Sequence, residues 1–70
     1  MSKIPPQNLE AESSLLGALL LDKDALIKVS DTLNPGDFYK ESNGIIYQAM
    51  LDLFEKHEPI DIVTVSNRLD

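Results

Sequence analysis

Cysteine is absent from these 70 residues, so no disulfide framework forms and no thiol chemistry operates. Tryptophan is absent too, and the only aromatics are two Tyr and two Phe. Basic residues are few: six Lys and Arg stand against twelve Asp and Glu, a net charge of −6 and a pI near 4.5. Those six are scattered, whereas counterion release on DNA or RNA needs Lys and Arg clustered on one face. By itself the chain is therefore poorly suited to gripping nucleic acid, or an anionic membrane surface. Long apolar runs are missing as well. The longest, Leu15 to Leu21, has seven residues, where a bilayer span needs about 20. Glu10 and Glu12 precede that run and Asp22-Lys23-Asp24 follows it. A signal sequence needs positive charge ahead and a small-residue cleavage site behind. Both features, with the lack of cysteine, fit a cytoplasmic protein that has no membrane partner.

The residues of several catalytic and metal-binding motifs are also missing. A P-loop needs two glycines around four residues and then Lys-Ser or Lys-Thr, so that backbone N–H groups cradle phosphate. Gly17, Gly36 and Gly44 are the only glycines and none fits that spacing. A zinc site needs four N or S ligands, and the chain offers His57 and no Cys. An EF-hand loop opening at Asp22 would place Ile27 and Leu33 where Gly and Glu are required. No catalytic, cofactor-binding or metal-ligating residue is assigned on this reading.

What is present reads as helices. Hydrophobic residues make up 43% of the chain, enough for a small core. Ile4-Pro5-Pro6-Gln7 is an extended lead-in. Asn8 caps a first helix over residues 8–21, with Glu10 and Glu12 complementing its dipole and Leu9, Leu15, Leu16, Leu19 and Leu20 on its apolar side. Asp22 or Asp24 caps a shorter second helix that buries Leu26, Val29 and Leu33 and stops at Asn34-Pro35-Gly36. Ser42 caps a third, whose stripe is Ile45, Ile46, Ala49, Met50, Leu53 and Phe54, with Gly44 a small cost in its first turn. After Glu58-Pro59-Ile60, Asp61 caps a fourth that presents Ile62, Val65 and Leu69 on one face. The expected core is Leu16, Leu20, Ile46, Met50, Leu53 and Phe54, plugged by Phe38. The open face of the fourth helix, which reaches Asp70 without a stop signal, reads as a chain cut inside a larger helical domain.

Individual residues with chemical potential have plainer readings. His57, beside Lys56 where the third helix ends, reads as a solvated residue complementing the helix dipole. Asp22 and Asp24 read as caps with Lys23 between them, and Phe38-Tyr39 as core anchors rather than a ligand platform. The Leu15–Leu21 run is either core or an oligomer face.

Five blocks, in order, resemble the start of bacterial replicative DNA helicases of the DnaB type. They are Pro5-Pro6-Gln7-Asn8-Leu9-Glu10-Ala11-Glu12; Leu16-Gly17-Ala18-Leu19-Leu20-Leu21-Asp22; Pro35-Gly36-Asp37-Phe38-Tyr39; Ile46-Tyr47-Gln48-Ala49-Met50; and Pro59-Ile60-Asp61-Ile62-Val63-Thr64. The chain departs from the family pattern at Glu41, where Pro is frequent, at Asn43, where His is common, and at Gly44, where a basic residue is usual. The resemblance implies an all-α, small orthogonal bundle of about four helices, ending before the family's helical hairpin. It implies a non-catalytic N-terminal collar domain over 1–70 that organises a homohexameric ring and docks primase or a helicase loader. ATP, Mg and DNA would be handled by a RecA-like C-terminal domain outside this chain. A free-standing helical adaptor acting on a helicase is the alternative from another class, and a small acid–base enzyme has no positive support.

Overall fold

The computed structural model describes residues 8–69. The proline-containing lead-in and Asp70 lie outside them. Within that range the chain forms α1 (Leu9–Leu21), α2 (Lys23–Ser30), a single 3-10 turn (Pro35–Asp37), α3 (Glu41–Glu55) and α4 (Ile62–Leu69). The all-α class and the four-helix order therefore match the expectation.

Local caps explain three of the four helix starts. The Asn8 carboxamide oxygen accepts from the Ala11 N–H at 2.9 Å, and Asp22 accepts from Asp24 and Ala25. At α4, Asp61 and Thr64 exchange side-chain-to-backbone bonds, each 2.9 Å, a capping box with Thr in the place of Glu. The start of α3 differs from expectation. Ser42 lies inside the helix, Lys40 holds the cap position, and no side chain of the segment itself caps it. The α-helical part of α2 also stops earlier than Leu33: it ends at Ser30, and a turn bonded to the Val29 carbonyl carries Leu33 into the core.

The core comprises Leu16, Leu19, Leu26, Leu33, Phe38, Tyr47, Ala49, Met50, Leu53 and Val65. Leu16, Met50, Leu53 and Phe38 are as expected. Leu20, Ile46 and Phe54 are only partly buried, and Leu19 is the more deeply enclosed neighbour. Ala49, Met50 and Leu53 of the expected α3 stripe are buried, but its edge differs. Ile45 is 53% exposed while Tyr47 is completely buried. A phenol is tolerated there because its hydroxyl donates to the Leu33 carbonyl at 2.9 Å and its ring packs on Phe38 at 5.3 Å between centroids. On α4 only Val65 is buried.

The end of α3 is closed by a Schellman motif. Glu58 N–H donates to the Leu53 carbonyl and His57 N–H to that of Phe54. His57 occupies the left-handed position with φ of 59°. It is an exposed helix-terminating residue, in line with the plain reading.

Candidate protein-interaction surface

The residues weighed as chemical candidates are not brought together. Asp22 is occupied as a cap, His57 terminates α3, and Phe38 is buried while Tyr39 faces solvent. Lys23 lies over the Phe54 ring, 5.6 Å from its centroid. Among the described residues no group of three or more His, Cys, Asp or Glu is placed to hold a metal ion. No helix there is long and apolar enough to cross a membrane. What the fold does build is one polar junction and one apolar edge, both on α1.

The junction joins the N-terminal half of α1 to the start of α3. Glu12 is fully buried. Its carboxylate accepts from the Tyr39 N–H, from the Lys40 N–H at 3.3 Å and from the Asn43 side-chain amide at 2.8 Å. This distant carboxylate holds the two residues that lead into α3 and the Asn43 side chain in its first turn, and its negative charge lies at the positive end of the α3 dipole. Burial pushes the Glu12 carboxyl upward. The Asn43 amide and the Tyr39 and Lys40 N–H groups outweigh that effect and hold it below its ordinary value. Beside it, α3 lies so close to the 3-10 turn that a β-carbon on Gly44 would fall 2.5 Å from the Pro35 carbonyl oxygen. Gly44 is thus a condition of that contact rather than a simple helix defect, and a bulkier side chain has no room there.

Position alone gives Glu12 a dipole role in the first turn of α1, and the junction becomes visible only in the fold. The signal was nonetheless present. Glu12, Leu16 and Leu19 follow i, i+4, i+7 spacing on the buried side of α1.

The apolar edge lies between the C-terminal half of α1 and the start of α4. Gly17, Leu20, Leu21, Asp61, Ile62 and Val63 line a groove of about 500 Å³. Leu21 is 90% exposed, Ile62 71% and Val63 66%. Contiguous large apolar side chains left in water mark interaction surfaces. The Leu15–Leu21 run therefore divides: Leu16 and Leu19 are core, and Leu21 joins the exposed edge. Ile62, on the fourth-helix face expected to be open, is on that edge as well.

Comparison with known proteins places this arrangement. Residues 4–70 match the family described as DnaB-like helicase N terminal domain. Replicative DNA helicase DnaC of Bacillus subtilis (strain 168) is 49% identical over 67 residues, 96% of this chain and 15% of that protein. Replicative DNA helicase DnaB of Mycobacterium leprae (strain TN) is 50% identical over 66 residues, 94% of this chain and 11% of its own length. The crystal structure of the N-terminal domain of DnaB helicase from Mycobacterium tuberculosis superposes with a TM-score of 0.87 at 51% identity, over 96% of this chain and 46% of that one. The chain thus spans less than a sixth of the curated relatives it matches, and under half of the solved domain. With the family matched over nearly its whole length, this chain belongs to the DnaB-like helicase N-terminal domain family.

Proposed function

We propose that this domain is the non-catalytic N-terminal part of an ATP-dependent replicative DNA helicase. It organises the ring of subunits and docks primase or a helicase loader. The observation that carries this reading is the match over residues 4–70 to a family whose relatives are replicative DNA helicases. In this reading unwinding, with its ATP, Mg and DNA, belongs to a RecA-like C-terminal domain of the parent protein. Two features support the division. The chain has no P-loop spacing, and its net charge of −6 suits protein contacts better than phosphate contacts. The cytoplasm, where replication proceeds in bacteria, is the matching location.

The test is direct titration of the purified domain with the primase of Bacillus subtilis, whose helicase is 49% identical over the matched segment, alongside ATPase and single-stranded DNA binding assays. Saturable primase binding with no ATP turnover is the expected result. Tight, salt-sensitive DNA binding by the domain alone, or no primase binding, overturns the reading.

A further inference from the structure

Asn43 and Gly44 stand side by side where the chain departs from the family pattern, and each has its own structural reason. Asn43, 7% exposed, donates its side-chain amide to the Glu12 carboxylate at 2.8 Å. Gly44 is required by the Pro35 carbonyl, which leaves no room for a β-carbon. Two unrelated demands of packing thus create the one Asn-Gly pair in the chain. That pair is chemically reactive. The backbone nitrogen that follows an asparagine can attack its side-chain carbonyl carbon, and glycine, with no β-carbon and a freely turning backbone, hinders the attack least. Asn8, Asn34 and Asn67 are followed by Leu9, Pro35 and Arg68, which slow or prevent it.

We propose that Asn43-Gly44 is a latent deamidation site that the Glu12 junction keeps closed, and that opening of the first turn of α3 releases it irreversibly. In the reaction the Gly44 nitrogen gives up its proton and bonds to Cγ of Asn43. The Cγ–Nδ2 bond breaks, the proton leaves with that nitrogen as ammonia, and a five-membered succinimide remains. Water then adds to either ring carbonyl and opens it, to aspartate or to isoaspartate at position 43. Three contacts oppose the first step in the folded chain. The Gly44 N–H is donated to the Lys40 carbonyl at 3.3 Å, the Asn43 N–H to the same oxygen at 2.9 Å, and the Asn43 side chain is held by Glu12. Ring closure needs a backbone rotation at Asn43 that a helical turn with these bonds does not allow. The turn has no side-chain cap of its own, so the junction is what restrains its local opening. After the reaction the turn does not reclose. A carboxylate replaces the amide that faced Glu12, so two like charges meet in a buried site, and isoaspartate also lengthens the backbone.

The test incubates the 70-residue chain in warm neutral buffer, folded and in urea, and follows each asparagine by peptide mapping and mass spectrometry. Expected is conversion of Asn43 to aspartate and isoaspartate in the unfolded chain ahead of any other asparagine. In the folded chain it should be at least about tenfold slower. Glu12→Gln, which keeps an acceptor but loses the charge, should speed the folded chain about tenfold. Val65→Ala, a core change on α4 outside the junction, should not do so when urea is added to match the two variants in global stability. Asn43→Asp, which makes one product directly, should shift the folding equilibrium at least about tenfold towards the unfolded state at neutral pH, read as a lower urea midpoint. Four results overturn the proposal: equal rates in the folded and unfolded chain, earlier conversion at Asn8, Asn34 or Asn67, equal rates in Glu12→Gln and Val65→Ala at matched stability, or an unchanged midpoint in Asn43→Asp. None of these readouts involves primase or DNA, so failure here does not imply failure of the docking function.

Discussion

The two halves of α1 invert the usual sorting of residues. Its N-terminal half buries a carboxylate, and its C-terminal half leaves Leu21 almost completely in water. The carboxylate is tolerated because two backbone N–H groups and an amide aim at it, so burial does not leave a charge or a donor unpaired. The exposed leucine has no such compensation among the described residues. The first region is therefore finished, and its polar atoms specify one geometry between α1, the connector and α3. The second is available, and it is the part of the molecule where an interaction can still bury apolar surface. Polarity alone would have assigned the two roles the other way round.

The comparison is broken most severely from the finished side. Leu53→Ala removes a buried side chain from α3 and is expected to cost about 2–5 kcal/mol, which threatens the folding of so small a domain. Glu12→Ala is expected to cost about 2–4 kcal/mol although it deletes no core hydrocarbon. It leaves the Tyr39 and Lys40 N–H groups and the Asn43 amide without their acceptor. Urea unfolding of both variants measures this directly. If Glu12→Ala costs less than about 0.5 kcal/mol, the junction is incidental and α3 is placed by packing alone. Gly44→Ala should follow at about 1–3 kcal/mol, because the Pro35 carbonyl or the helix must move.

Acid sharpens the same contrast. The Glu12 carboxyl titrates lower in the folded chain than in the unfolded one, so its contribution is fully present above the unfolded value of about 4.3. The contribution is lost as pH falls through the lower folded value. Asp52 is held down too, by the Gln48 amide and then by Arg68, whose guanidinium lies 3.2 Å away. That pair is exposed enough for salt to screen it. Urea midpoints measured from pH 7 to pH 3 in 0.5 M salt should therefore report Glu12 together with the Gln48-bonded Asp52, and Glu12→Gln should flatten the profile by the share that Glu12 carries. An unchanged slope in that variant would place the acid sensitivity elsewhere.

Most of the architecture was legible because most of its determinants are local. Asn8, Asp22 and Asp61 cap within three residues of themselves, and turn chemistry at Asn34-Pro35-Gly36 and Glu58-Pro59 separates the helices. The start of α3 lies before Ser42 because no side chain caps it locally and the residues leading into it are held by Glu12, some thirty residues earlier in the chain. No local rule sees a partner that only folding brings near. Tyr47 is not in the expected stripe, and a phenol is half polar, so residue type alone does not mark it as core. In the fold a single bond to the Leu33 carbonyl makes it an acceptable core residue. The apolar face of α4 was read as open, and Ile62 and Leu69 are exposed as expected, while Val65 on the same face is buried. Helical spacing reveals that a face is apolar, but it does not say that anything covers it.

The smallest expected effect is also the most discriminating. Gly17→Ala should stabilise the chain by about 0.5–1 kcal/mol, since alanine loses less backbone freedom in a helix and its methyl meets nothing. Gly44→Ala, the same substitution on another helix, should move stability in the opposite direction. A urea series on the two variants separates them by sign, which is more robust than a comparison of magnitudes. If Gly17→Ala destabilises instead, α1 is already under contact at that point and the groove is not open in solution.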